Sequence, residues 1–112
     1  MPRIRSYSRY TREALSLLGK QIKVARKERK WSAQELAMRA GIARDTLQHI
    51  ENGDAGSAIG LVFEVAALVG VPLFFDDQST APMLRERARV EDKLALLPKS
   101  IRPKRYEVKD DF

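Results

Sequence analysis

The sequence predicts an all-α protein, a compact bundle of about five helices with a basic N-terminal arm and an extended C-terminal tail. Three observations predict it. Apolar residues recur at three- and four-residue spacing in successive segments, which is the period of one helix face. Glycines at 41, 53 and 70 and prolines at 82 and 98 fall where such segments would begin or end. The composition, 112 residues with 44% hydrophobic and 32% charged side chains, suits a single small core rather than a disordered chain.

The elements follow in order. Residues 1–10, MPRIRSYSRY, read as a basic arm without helical period. From about Thr11 to Lys30, Leu15, Leu18, Ile22 and Ala25 define the inner face of a first helix, with Lys and Arg on the other side. Ser32 and Glu35 form a capping box that starts a short second helix. Leu36, Ala37 and Ala40 face inward on it, and Gly41 supplies a left-handed exit. A third helix is expected from Arg44 to Glu51, burying Leu47 and Ile50 and ending at Asn52-Gly53. After a tight loop at 54–56, Ser57 is positioned to cap a fourth helix whose Leu61, Val65 and Leu68 supply core and whose terminator is Gly70. Pro72 bars a simple helix over the apolar run from Val71 to Phe75, whose aromatics are expected to cover the bottom of the core. With that run, the expected domain spans 11–75.

Residues 76–97 read as a polar linker and an additional helix, Ala81 to Leu97, with Pro82 in its first turn and Pro98 as stop. Met83, Arg87, Val90, Leu94 and Leu97 alternate steps of four and three, and Leu84, Ala88 and Ala95 widen that face. About two heptads do not sustain a free coiled coil. Packing on its own domain is expected ahead of a role in a dimer. The tail, 98–112, has two prolines, a basic first half and an acidic end, and reads as extended, disordered or docked on a partner.

Charge is unevenly spread. Residues 1–30 carry ten of the 21 basic side chains and two of the 15 acidic ones, within a net charge of +6. A basic end on a mildly acidic body is the footprint of a polyanion binder, although a solvated helix face has the same composition. The chain has no cysteine and one histidine, which removes disulfides, thiolate chemistry and cysteine zinc sites. Asp76-Asp77 reads as loop solvation rather than a metal site. No phosphate-cradling glycine motif or histidine–carboxylate cluster is present, so neither an enzyme nor a cofactor is expected. The apolar stretch 58–75 is broken by Gly60, Glu64, Gly70 and Pro72, and the N-terminus lacks a signal-peptide core. A cytoplasmic location without membrane contact is expected.

The second and third helices, joined through Gly41 with Ala37 and Ile42 around the turn, make sense as a helix-turn-helix. Arg44, Asp45, Gln48 and His49 would then face outward from the helix that enters a major groove. Here the chain resembles the lambda-repressor-like, XRE-type family. The matching residues are Gln34-Glu35-Leu36-Ala37, Gly41-Ile42, Ile50-Glu51-Asn52-Gly53 and Ala66-Ala67-Leu68-Val69-Gly70-Val71, within about Leu18 to Leu73. Two departures stand out. Ala43 occupies a position where the family has a capping serine or threonine, at a typical cost of about 1 kcal/mol. Gly56 stands where the family commonly has proline before the fourth helix.

A homodimeric repressor that reads a palindromic operator in double-stranded DNA is expected, because one recognition helix alone reads too few base pairs; the resemblance adds the contacts. It implies that Gln34 and Asn52 touch the DNA backbone and that Arg44, Asp45 and His49 face bases, with Thr46 and Gln48 in the same interface. Arg44 can bond guanine O6 and N7 together. Asp45 could accept from cytosine, orient Arg44 or simply favour the first turn of its helix. Gln48 could read a base or bind phosphate, and His49 could do either or remain a solvated surface group. Arg26 and Lys27, late in the first helix, are candidate phosphate contacts. Lys20, Lys23, Arg29 and Lys30 could be a solvated face only. Arg3, Arg5 and Arg9 could follow the minor groove or attract phosphate without specificity.

The additional helix and patterned tail also resemble antitoxins of HipA/HipB-type toxin–antitoxin modules. That resemblance implies a kinase-like toxin, HipA-like, as a second partner. Tyr106, Val108, Asp110, Asp111 and Phe112 would then be its contacts, an aromatic anchor flanked by acidic groups. A solubilising tail is the alternative, and a protein-interaction module with secondary DNA binding is the alternative for the whole chain.

Overall fold

A computed structural model describes residues 5–103. Arg3 of the arm and the tail residues Tyr106, Val108, Asp110, Asp111 and Phe112 lie outside the described residues. Among the described residues five helices follow one another: α1 (Arg9–Glu28), α2 (Ala33–Ala40), α3 (Arg44–Glu51), α4 (Ile59–Val69) and α5 (Thr80–Leu96). The fold is all-α, as the spacing of apolar residues predicts. The chain divides into two compact units, Met1–Gln78 and Ser79–Phe112.

In the first unit, α1 packs on α3 and α4, and α2 packs on the same two helices. Ile22 of α1, Leu36 and Ala37 of α2, Leu47 and Ile50 of α3, Val62, Val65, Ala66 and Val69 of α4, and Val71 form the buried core. Ile22, Leu36, Leu47 and Val65 are its largest fully buried side chains, one from each helix. Trp31, Ile42, Leu61, Leu68 and Leu73 pack around it, partly buried.

Helix α1 begins two residues earlier than its apolar period suggests. The Ser8 hydroxyl accepts the Thr11 amide at 3.2 Å, so Arg9 and Tyr10 belong to the helix rather than to the arm. The expected capping box of α2 is present: Ser32 Oγ accepts the Glu35 amide at 3.0 Å, and the Ser32 amide donates to Glu35 Oε1 at 2.8 Å. Helices α1 to α4 all end alike. A left-handed residue (Lys30, Gly41, Gly53 or Gly70) turns the chain, and the next amide returns to a carbonyl five residues back, as Ile42 does to Ala37 at 3.0 Å. At α1 the left-handed residue is a lysine, φ 64°, which has a Cβ to accommodate.

Three expectations need correction. Ser57 does not cap α4: the cap position is Ala58, which offers no side-chain bond, and the buried Ser57 Oγ has no hydrogen-bond partner among the described residues. The inner face of α4 is centred on Val62, Val65, Ala66 and Val69, with Leu61 and Leu68 only flanking it. Phe74 and Phe75 do not close the core. Phe74 is 70% exposed and meets Phe63 edge-on at 6.4 Å, while Val71 and Leu73 take the apolar role. The last turn of α4 is tied by polar bonds instead. Arg29 Nε donates to the Val69 carbonyl at 3.0 Å and Gln78 Nε2 to the Ala67 carbonyl at 3.1 Å.

In the second unit, α5 has no buried residue. Arg89 donates to Glu86 through Nε at 3.0 Å and also through Nη2. This hydrogen-bonded guanidinium holds the Glu86 carboxyl below its ordinary range. The pair therefore stabilises the helix above the ordinary carboxylate pKa, and that contribution is lost as pH falls through the lowered value. No helix among the described residues is long and apolar enough to cross a membrane.

Candidate nucleic-acid interface

Two short helices cannot hold a fixed crossing by themselves, because eight residues form only two turns. Here the crossing is fixed from three sides. Gly41, φ 70°, reverses the chain. Ala37 is fully buried near the turn, and Leu47 and Ile50 drive α3 onto the core. Finally, α1 meets the end of α3 almost backbone to backbone. A Cβ on Gly19 would lie 2.5 Å from the Glu51 carbonyl oxygen, and one on Gly53 would lie 2.9 Å from the Ser16 backbone. Only hydrogen fits at either place.

Beneath that joint lies a buried ion pair. Arg26 donates through Nε to Glu51 Oε2 at 2.7 Å and through Nη2 to Oε1 at 3.1 Å, and its Nη1 holds the Trp31 carbonyl at 3.0 Å. Arg26 and Glu51 are 7% and 5% exposed. The expectation that Arg26 contacts phosphate is therefore corrected: its guanidinium is committed inside the fold, locking α1 to the last residue of α3. A fork-to-fork pair of this kind fixes direction as well as distance.

With Leu47, Ile50 and Glu51 buried and Thr46 half-buried, α3 turns its remaining side chains outward. At the helical repeat, Arg44, Gln48, Asn52, Asp45 and His49 spread in that order across roughly 140° of its surface. All five are exposed. Arg44, Asp45, Gln48 and Asn52 make no side-chain hydrogen bond or ion pair to another described residue. His49 does: its Nδ1 lies 3.1 Å from Asp54 Oδ2, which leaves Nε2 as the outward nitrogen. Asp54, in turn, accepts the Gly56 amide at 2.8 Å. The cap position of α3 is Ala43, which offers no side-chain bond, so the amides of its first turn stay open.

Gln34 is exposed at the second residue of α2, and Lys27 is exposed near the end of α1. Sequence reasoning missed one group. Lys23, grouped there with a merely solvated face, joins Ala33, Gln48 and Asn52 around a cleft of about 260 Å³ floored by Arg26 and Glu51. The cleft thus has a cation and two amide side chains at its rim beside the outward face of α3. The signal was its spacing: Lys23 sits three residues before Arg26, on the same side of α1. Trp31 was also missed. The guanidinium of Arg39 lies over its ring at 4.2 Å and that of Arg29 at 5.5 Å, bracing the start of α2.

This arrangement can fit a groove of a duplex: a short rod with polar side chains outward, flanked by groups that suit phosphates. Residues 22–75, just under half of the chain, match the helix-turn-helix family model. No curated protein and no solved structure gives a significant match. Local geometry and family match agree that residues 22–75 form a helix-turn-helix domain.

Proposed function

We propose that this chain is a sequence-specific transcriptional repressor that binds a palindromic operator as a homodimer. The observation that carries the reading is the exposed face of α3, where Arg44, Asp45, Gln48, His49 and Asn52 stand outward beside the Lys23 cleft. Arg44 reads a guanine, and Asp45 accepts from a neighbouring cytosine or steadies Arg44. His49, oriented by Asp54, presents Nε2 to a base edge or a phosphate. Thr46 borders this face. Gln34, Lys27, Lys23 and Asn52 hold the DNA backbone and fix register without specifying sequence. One such helix reads few base pairs, and two copies related by a two-fold axis supply the rest.

Selection of duplexes from a random pool, followed by footprinting, tests the reading. The expected product is two inverted half-sites about one helical turn apart. Affinity should fall linearly with salt on a log–log plot. Equal binding to operator and random duplex, or indifference to duplexes at low salt, sinks it. The sequence pattern of residues 98–112 supports a second role as the antitoxin of a HipA-like kinase toxin, with Tyr106, Val108, Asp110, Asp111 and Phe112 as contacts. Its test is capture of such a kinase with and without those residues. Unchanged capture after the deletion removes the tail from that role.

A further inference from the structure

We infer that α5 is a self-pairing helix, docking antiparallel on α5 of a second copy of this chain. Met83, Arg87, Val90 and Leu94 follow steps of four, three and four and so form one seam. Its apolar members lie open: Met83 is 36% exposed, Val90 40% and Leu94 62%. Arg87 does not break the seam. Its Nε is directed to Glu91, 4.0 Å away and one turn along, so its aliphatic stem crosses the seam while its charge stays at the edge.

The charges beside the seam select the occupant and its direction. One flank carries Glu86 and Lys93, seven residues apart; the other carries Leu84 and Glu91, also seven apart. In a parallel pair the like seam positions meet, so Arg87 would oppose Arg87 of the second copy. Across the flanks, Glu86 would oppose the other copy's Glu91 on both sides. Reversing one helix changes every one of these pairings. Arg87 then lies beside Val90 of the second copy, Leu94 beside its Met83, and Glu86 beside its Lys93, twice by symmetry. Leu84 meets the aliphatic part of Glu91. The sequence of α5 is therefore complementary to itself only when reversed. Arg85 and Asp92 fall on the outer side and take no part, while Arg89, also outside, holds Glu86 within its own helix.

The inference rests on the dimeric reading under Proposed function, and it names the surface that reading requires. Its test needs no DNA. Sedimentation of the full chain should show a reversible dimer that Leu94→Asp abolishes while circular dichroism stays helical. Glu86→Lys and Lys93→Glu should each weaken the dimer about tenfold, because each sets like charges together twice. Mixing those two variants should restore a heterodimer, since both cross-helix contacts between positions 86 and 93 then join opposite charges. Tighter association of Glu86→Lys alone would mean a parallel pair and overturn the inference. So would a wild-type chain that stays monomeric at near-millimolar concentration, or a dimer indifferent to Leu94→Asp, which would point to another surface such as the exposed Leu17 and Val24 of α1. Failure of the DNA reading shows elsewhere, as loss of half-site preference on short duplexes by an intact dimer.

Discussion

Helix α3 has eight residues and buries both of its aliphatic side chains; α5 has 17 and buries none. Length and period thus do not decide burial. In α3, Leu47 and Ile50 meet the side chains of other helices inside the core, and Glu51 finds Arg26 there. The apolar residues of α5 remain open, and the ion pairs Arg87–Glu91 and Arg89–Glu86 lie along the helix itself. One helix is held by what surrounds it and the other mainly by its own neighbours in sequence. The first kind can present side chains at fixed positions. The second keeps a face in reserve.

The sharpest way to test this contrast is to remove one half of the buried pair. Glu51→Gln leaves the Arg26 charge buried without its counter-ion and should cost about 3–5 kcal/mol in urea unfolding. The single tryptophan, Trp31, whose carbonyl bonds Arg26, reports the transition by fluorescence. Gly19→Ala comes next. Its methyl group would drive α1 away from the Glu51 carbonyl, for a loss of about 1–3 kcal/mol. Arg44→Ala should leave stability within about 0.5 kcal/mol while removing roughly 1–3 kcal/mol of discrimination at one base pair per half-site. Equal losses on operator and random duplex would remove Arg44 from base reading. Lys23→Ala should instead weaken all duplexes alike and reduce the salt slope by about one. Lys30→Gly should stabilise the bundle by about 0.5–1 kcal/mol, because it relieves a left-handed lysine. The smallest effect belongs to α5. Leu94→Ala should change the unfolding of the monomer by less than about 0.5 kcal/mol. A cost matching that of Gly19→Ala would erase the distinction between the two helices.

What could be read from sequence was local. The capping box at Ser32 and Glu35, the exit at Gly41, the uncapped Ala43 and the inward pair Leu47 and Ile50 each depend on residues a few positions apart, and the structure has all of them. The inner face of α4 was misplaced by one residue because IGLVFEVAALV is almost uniformly apolar, so its period has little contrast. Arg26 looked like its basic neighbours, since its partner lies 25 residues away and only the folded chain brings them together. Gly19 carried no turn signature either. It is required by a backbone contact from another helix rather than by its own dihedral angles. On the outward face, residue type and spacing indicated which side chains point away from the core, but not that Asp54 engages His49 or that Lys23 borders a cleft.

The position of the Arg26–Glu51 pair at the bottom of the Lys23 cleft has a practical consequence for genetics. A screen for variants that no longer occupy their target would return substitutions at 26 and 51 next to those at true contact positions, all with the same phenotype. Melting temperatures would separate the two groups where a footprint could not: the first would melt well below the unaltered chain, the second together with it and yet be unable to bind.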